Sequence, residues 1–399
     1  MALKSNKMQV LLVEPNFPNF NKSKFRKNSL PIGLLKLASF YRAQGNEVRL
    51  VVENQTVETN FDPELILITS SFTYWFKYVW DSVAYYKKMF PNAKIIVGGI
   101  YASLMPEHCK QSGCDEVNVG VYAEAEKYSP AYDLLEPRVK YQIIHTSRGC
   151  LRKCAYCGVW KIEPKFICKD SIKNEIITNS IIFYDNNLLA NPYISNILKE
   201  LIDIRKQKPS FHCESQCGID ARLLTEEISL LLKKAGFKNM RIAWDWNFGD
   251  WKKIQDSIEM LCSAGFRRKD LYVFMIYNWE IPFDEMEKKR IKCWNWQVQI
   301  ADCRFRRIDQ TIDNYKPLKK QSANDYFIHP KWSDNLIKEF RRRVRRQNIC
   351  VRHGFPFYSK SLETKRVTKD QRTKLSTMAR SEVKQIVDDA WFPEEKYKF

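Results

Sequence analysis

The run His145-Thr-Ser-Arg-Gly-Cys150-Leu-Arg-Lys-Cys154-Ala-Tyr-Cys157-Gly-Val-Trp160 sets three Cys at intervals of four and three residues. A loop with that spacing can wrap its thiolates around an inorganic centre. The number of donors matters: a [4Fe-4S] cube held by three Cys leaves one iron open to a small molecule, whereas electron-transfer clusters take four. A structural zinc site wants four ligands in two short pairs, and His145, the nearby fourth donor, falls on a predicted strand with little freedom to turn. Unliganded thiols on a loop flanked by Gly149 and Gly158 are the remaining alternative. Nine further Cys are scattered through the chain. Cys213 and Cys217, four apart, raise the alternative of an auxiliary cluster. The commoner role for such Cys, and for Cys109 and Cys114, is that of buried small hydrophobes.

Such a loop needs a scaffold, and the chain supplies alternating elements on both sides of it. Before it, strand-like Met8–Glu14, Glu47–Val52, Leu65–Thr69, Lys94–Val97 and Glu116–Val119 alternate with helical stretches at Ile32–Gln44 and Trp75–Met89. Pro31 suits the opening of the first helix and Gly45 its close. Short apolar runs alternating with helices imply a parallel sheet covered on both faces, so residues 1–129 read as a doubly wound α/β domain. A second series follows, with strands expected at Tyr141–Thr146, Ser180–Asp185, Ser210–Ser215, Met240–Asp245, Leu271–Tyr277 and Gln297–Ala301, and helices such as Thr225–Ala235 and Trp251–Ala264. Six β/α units are too few for a closed eight-stranded barrel and fit an open, partial one over residues 130–310. From Thr311 onward the chain is basic and helical, punctuated by Pro330, Pro356 and Pro393, and reads as a C-terminal extension over 311–399.

C-x3-C-x2-C with an aromatic before the third Cys, after the first strand of a β/α barrel, resembles the signature of the radical S-adenosylmethionine (SAM) superfamily. The resemblance implies that Cys150, Cys154 and Cys157 hold a [4Fe-4S] cluster and that its open iron chelates SAM. One electron, from a donor such as a flavodoxin or ferredoxin, then cleaves SAM to a 5′-deoxyadenosyl radical that abstracts a substrate hydrogen. Tyr156 would lie against the adenine. Where many members carry Gly-Gly-Glu after the second strand, this chain has Tyr184-Asp185-Asn186-Asn187. It resembles there the Asp-rich variant of members with a cobalamin-binding-like domain, which makes Asp185, Asn186 and Asn187 candidates for SAM contact; an Asn-rich turn is the plain alternative. Active sites of such barrels lie at the carboxyl ends of the strands. That adds Glu214 with Ser215 and Gln216, Asp245, and Tyr277 with Asn278, of which Glu214 and Asp245 are the preferred cofactor or substrate contacts.

The stretches LLVEPNFP, SLPIGLLKLASFYRAQGNEVRLV and KIIVGGIYASLMPEHCKQSGCDEVNVG are similar to the N-terminal domain of the cobalamin-binding radical SAM group. Domains that ligate cobalt through a His use Asp-x-His-x-x-Gly after the first strand, and Glu14–Lys27 contains no His. Base-off binding without a protein ligand, with Gly98 and Gly99 admitting the nucleotide tail, stays open beside an emptied scaffold. With cobalamin the implied reaction is methyl transfer; without it, rearrangement, epimerisation, cyclisation or bond formation.

The 399 residues fill about two or three domains, and 44% apolar with 13% aromatic residues exclude a disordered or collagen-like chain. No run approaches the roughly 18 apolar residues of a membrane span, and Met1–Lys7 is polar, so neither a span nor a signal peptide is expected and the chain reads as cytoplasmic, its Cys largely reduced. Of the +20 net charge, a surplus of 11 falls in Lys331–Arg380, where fifteen Lys or Arg face four Asp or Glu. The densest run, Arg341–Arg346, reads as a helix with Arg around most of its circumference. With Arg352, His353, Lys365, Arg366 and Lys369 it would suit phosphates, and Phe355, Phe357 and Tyr358 would stack on bases. A nucleic-acid-binding or RNA-modifying protein whose Cys trio is a structural metal site is therefore the alternative to an enzyme acting on a small molecule or peptide.

Overall fold

The computed structural model describes residues 7–18, 30–57, 60–136, 139–360, 369–387 and 389–393. They form two compact units. The first comprises residues up to Ile167 with Asn174–Ser180 and Arg306–Asp313; the second comprises Cys168–Lys173, Ile181–Phe305 and the chain from Asn314 onward.

In the first unit, strands β1 (Gln9–Glu14), β2 (Glu47–Val52), β3 (Leu65–Ser70), β4 (Lys94–Gly99) and β5 (Glu116–Val117) form a parallel sheet in the order β2-β1-β3-β4-β5. Helices α1 (Ile32–Ala43), α2 (Phe76–Met89), α3 (Ile100–Leu104) and α4 (Pro106–Lys110) connect them. Alternation along the strands divides the core into two layers. Val10, Leu12, Leu65 and Leu67 pack with Leu34 and Ala38 of α1 on one face. Leu11, Val13, Ile66, Ile68, Ile95 and Val97 pack with Val79, Val83 and Tyr86 of α2 on the other. Full burial of each such side chain contributes about 1.5–3 kcal/mol, so a one-residue slip of β1 would exchange both layers at once. The chain reverses direction across the sheet between β1 and β3, and the crevice outside the carboxyl ends of the strands at such a switch point is where open α/β sheets bind ligands. The unit continues through β6 (Gln142–Ile144), β7 (Ser147–Arg148), the Cys150 loop and the short helix α5 (Val159–Ile162); β8 (Ile167–Cys168) follows.

The second unit repeats strand and helix: β9 (Ser180–Phe183), α6 (Ile194–Gln207), β10 (His212–Ser215), α7 (Glu226–Lys234), β11 (Arg241–Ala243), α8 (Trp251–Ser263), β12 (Tyr272–Tyr277), α9 (Phe283–Asn295) and β13 (Gln299–Arg304). β9 and β10 are neighbours, and β11-β12-β13 form a parallel sheet. Single parallel bridges, Cys213 with Phe237 and Ile219 with Ile242, carry the pairing from β10 towards β11. Two expectations are corrected in extent. The Met240–Asp245 strand ends at Ala243, which leaves Asp245 in the following turn. The last strand starts at Gln299, not Gln297, because Gln297 takes a left-handed backbone (φ 55°), and it runs on to Arg304.

Helix α10 (Asp334–His353) covers that last strand. Ser333 caps its start by accepting from Leu336 N–H, and Gly354 ends it in the left-handed conformation. Asn348 accepts from Ile300 N–H (2.8 Å) and donates to Ile300 C=O (2.7 Å), so one side chain satisfies β13 as a neighbouring strand would. Helices α11 (Lys369–Thr377) and α12 (Arg380–Ile386) follow, and Tyr358 pairs with Trp391 in an antiparallel bridge. Among the described residues no helix is long and apolar enough to cross a membrane.

Candidate functional site

The Cys150 loop hangs from a backbone that only glycine allows. Gly149 has φ 77°, and a Cβ there would fall on the Lys165 carbonyl. Its N–H donates to Glu163 Oε2 at 2.6 Å, and Glu163 Oε1 takes the Arg148 guanidinium at 2.8 Å. Cys150, Cys154 and Cys157 are reduced and partly exposed. Cys150 Sγ accepts from Arg152 N–H (3.4 Å), Cys157 N–H donates to Cys154 C=O (3.0 Å), and the Trp160 indole donates to the same carbonyl (3.3 Å). Tyr156 lies partly exposed between the last two thiols. Among the described residues no three His, Cys, Asp or Glu side chains are drawn together tightly enough to enclose a metal ion. The loop therefore presents three thiols without closing them into a pocket.

Within the same unit a cavity of about 230 Å³ opens beside the ends of β3, β4 and β5. Leu34, Leu37, Ile68 and Ile96 make its apolar wall, Tyr41 and Tyr122 add aromatic faces, and Gly98, Gly99 and Asn118 its rim. The two glycines are not equivalent. A Cβ on Gly98 would make ordinary contact with Asn118 at 3.7 Å, whereas Gly99, at φ 98°, would drive one into the Ser70 carbonyl. Ser70 Oγ donates to Gly98 C=O (2.7 Å) and accepts from Ala102 N–H (3.0 Å); Ser103 Oγ donates to Gly99 C=O (2.7 Å) and accepts from Gly120 N–H (2.9 Å). These bonds fix the turn so that backbone, not side chain, faces the cavity. No His is among its lining residues.

In the second unit the strand-end residues divide. Asp185 and Asn187 follow β9 in a turn and are buried, at 0% and 3% exposure, with Asn186 between them. Among the described residues the Asn187 Oδ1 has no hydrogen-bond donor, an acceptor buried at a cost of about 1–3 kcal/mol unless something donates to it. Burial, with the Asp185 charge adding to it, holds the Cys168 thiol above its usual range. Glu214 pairs with Arg241 Nη2 at 2.5 Å and accepts from Gln216 Nε2 at 3.0 Å, while Arg241 Nη1 donates to Ser215 C=O at 2.6 Å. Glu214 thus ties β10 to β11. Asp245 is half-buried, and the fully buried Lys289 donates to the carbonyls on either side of it, Trp244 (2.7 Å) and Trp246 (2.8 Å). Burial pulls the Lys289 ammonium down to about 8 against the opposing pull of Asp245. Tyr277 turns towards Trp332 and Phe340, and Asn278 is spent bonding Phe327 C=O and His329 N–H. The buried Cys213 thiol is pushed well up by desolvation.

The basic run differs from the expected all-round Arg helix. Ile337, Phe340, Val344, Gln347 and Cys350 make a buried stripe on α10. Arg343 pairs with Glu287 (3.2 Å) and Glu339 (2.6 Å), Arg342 pairs with Glu339 (2.6 Å), and Arg346 lies over the Tyr358 and Trp391 rings. Phe357 and Tyr358 are core residues at 2% and 7% exposure, closed to a stacked base. Lys365 and Arg366 lie outside the described residues, as does the side chain of Lys369. Sequence reasoning missed the buried Arg290, which donates to Glu287, Gln347 and the Pro393 carbonyl, and the ion pairs that flank the Cys150 loop. Gln347 and Pro393 lie too far from Arg290 in sequence for spacing to signal them, as does Glu163 from Arg148, whereas the i,i+3 spacing of Glu287 and Arg290 on α9 was a signal left unread.

No family model and no curated protein matches the chain. Solved structures do. A radical SAM methyltransferase, TsrM from Kitasatospora setae with cobalamin and a [4Fe-4S] cluster bound, aligns over 75% of this chain and 76% of its own, at 13% identity and a TM-score of 0.60. The same enzyme with its tryptophan substrate and a SAM analogue aligns over 75% and 73%, at 13% identity and a TM-score of 0.55. At that identity the likeness is one of fold: the chain has the α/β architecture, built on parallel sheets, of a cobalamin-binding radical SAM methyltransferase.

Proposed function

We propose that the chain is a cobalamin-dependent radical SAM enzyme of the methyltransferase type. The observation that carries this reading is the conjunction, in one compact unit, of a three-Cys loop and a glycine-floored cavity at the carboxyl edge of a β2-β1-β3-β4-β5 sheet. The residues fit the groups. Three soft thiolate donors on a loop pinned by Gly149 suit an iron-sulfur cluster with one open iron. The Gly99 cradle, which any Cβ would fill, suits close approach of a nucleotide tail along the backbone, and the lack of a cavity His is consistent with cobalt held without a protein nitrogen. Asn187 Oδ1, buried without a donor, suits the ammonium of SAM.

When bound, the cluster would supply an electron to SAM and the cobalamin a methyl carrier. In this reading Cys150, Cys154 and Cys157 hold the cluster, Tyr156 lies against the adenine, and Asp185 with Asn186 and Asn187 orients the amino acid end of SAM. Asp245, whose flanking carbonyls are fixed by Lys289, faces the ribose or the substrate. Glu214, engaged with Arg241, acts as a strut for the strand ends and not as a direct contact. Gly98 and Gly99 floor the tail cavity. The acceptor is a small molecule or peptide, and the reductant an acidic one-electron carrier. The nucleic-acid alternative is disfavoured, because Phe357 and Tyr358, two of the three aromatics it needs, are in the core and two of its Arg are paired.

Anaerobic reconstitution with iron and sulfide, followed by hydroxocobalamin, a low-potential reductant such as titanium(III) citrate to bring the corrinoid to Co(I), and SAM labelled at the methyl group, tests the proposal. The expected result is about four irons per chain, a corrinoid absorption band that stays with the protein on gel filtration, and label transferred to the corrinoid. Full iron content in the Cys150→Ala, Cys154→Ala, Cys157→Ala triple variant would overturn the cluster assignment, and zinc in place of iron would revive the structural-metal reading.

A further inference from the structure

Four charged side chains on the cavity wall form a line that ends at the thiolate loop. Lys36 on α1 pairs with Glu126 Oε2 at 2.9 Å, and Arg148 Nε lies 3.6 Å from the same oxygen. Arg148 Nη2 pairs with Glu163 Oε1 at 2.8 Å, and Glu163 Oε2 accepts from the N–H of Gly149, the residue before Cys150. All four side chains line the Gly98-Gly99 cavity and belong to one compact unit. We propose that Arg148 is a positioning residue that couples this cavity to the Cys150 loop, so that a corrinoid in the cavity and an iron-sulfur cluster on the loop strengthen each other's binding.

The inference rests on the function proposed above and deepens it. The alternating charges are largely withdrawn from solvent, with side-chain exposures of 9% for Lys36, 26% for Glu126, 25% for Arg148 and 14% for Glu163. Pairs so placed are screened less than surface pairs, and removing one member leaves its neighbour's charge uncompensated. Arg148 joins the two halves of the line: its Nε side faces the Glu126 pair on the cavity wall and its Nη2 side holds Glu163, which in turn holds the loop. A cluster that fixes the loop fixes Glu163 and Arg148, and hence the cavity wall that a corrinoid must otherwise order by itself. Linkage makes the effect reciprocal, and couplings of this kind commonly span about 5- to 150-fold.

The test measures the Kd of hydroxocobalamin by anaerobic absorbance titration of the full chain, once as the reconstituted four-iron protein and once iron-free. The expected wild-type affinity is at least about 5-fold tighter with the cluster present. Arg148→Gln is expected to bring the ratio close to 1. Glu126→Gln, which alters only the cavity side and leaves Arg148, Glu163 and Gly149 joined, should keep wild-type iron content while lowering the ratio, and it carries the test if Arg148→Gln does not fold. A wild-type ratio of 1 with both groups bound overturns the coupling, as does a ratio unchanged in Glu126→Gln. Failure of both forms to bind hydroxocobalamin refutes the cobalamin assignment itself, and is told apart because there is then no Kd to compare.

Discussion

Glu14 closes β1 at the carboxyl edge of the first sheet, and burial there raises its carboxyl from 4.5 to about 7. Glu14→Gln isolates that effect, because it removes the ionisation while keeping the shape. Below about pH 4 the carboxyl is neutral in folded and unfolded chains, so the two proteins should be equally stable. Between 4.5 and 7 the folded form keeps a proton that the unfolded form has lost, so the stability of the wild type falls as pH rises. Above about 7 the full penalty is present. Each pKa unit carries about 1.4 kcal/mol, which gives about 3 kcal/mol for full burial and about 2 kcal/mol once solvent reaching the half-buried group is allowed for. For a unit of this size that corresponds to a melting-temperature difference of about 4–8 °C. Thermal melts of both proteins every half unit from pH 4 to 9 should show curves that coincide at the acid end and separate through pH 5–7, Gln above Glu. A gap of constant size across the range, or a wild type more stable at pH 8, would refute the desolvation argument.

Gly99→Ala should destabilise the first unit by at least about 3 kcal/mol, since the backbone at φ 98° is confined to glycine and the new methyl meets the Ser70 carbonyl; Gly98→Ala should cost less than about 1 kcal/mol, and thermal melts compare the two. Gly149→Ala should lower iron content after reconstitution, because the clash with Lys165 displaces the loop, and its hydroxocobalamin affinity should fall to that of the iron-free wild type; unchanged iron counts against it. Glu287→Gln leaves Arg290 and Arg343 facing each other without their shared carboxylate and should cost about 3–5 kcal/mol, seen as a lower melting temperature or lost soluble yield. Asn348→Ala frees both polar groups of Ile300 on the β13 edge and should cost about 2 kcal/mol with self-association detectable by light scattering.

Much of the first unit was legible because its elements obey single-period patterns. VLLV in β1 alternates between two cores, and Pro31 and Gly45 bracket α1 within a residue of the expected limits. The short strands of the second unit were harder to bound: β11 is three residues long, and a polar turn carries Asp245 beyond it. Within the site, Cys150, Cys154 and Cys157 announce themselves by spacing, and Gly149 by the tight loop they need. Glu214 could not be assigned from position alone, since its partner Arg241 is 27 residues away. The Lys36, Glu126, Arg148 and Glu163 line spans more than 120 residues of sequence, and no local rule links ion pairs over such distances.

The basic run shows how a linear reading of charge misleads on a helix. Written out, Arg341-Arg342-Arg343-Val344-Arg345-Arg346 looks like a cationic patch, but a helix distributes six consecutive residues around more than one full turn. Val344 then faces the core, Arg343 reaches Glu287 on α9, and Arg346 covers the Tyr358 and Trp391 rings. The run is therefore partly a packing element: Arg343 and Arg290 share Glu287, and Gln347 joins Arg290 from the same face of α10. A polyanion binding at Arg342 or Arg343 would have to compete with Glu339 and Glu287, carboxylates already in place. Specific pairs of this kind fasten α10 in place: Arg343 holds it to Glu287 of α9, and Arg352, donating to Gln299 Oε1, holds it to β13, the strand paired with β12.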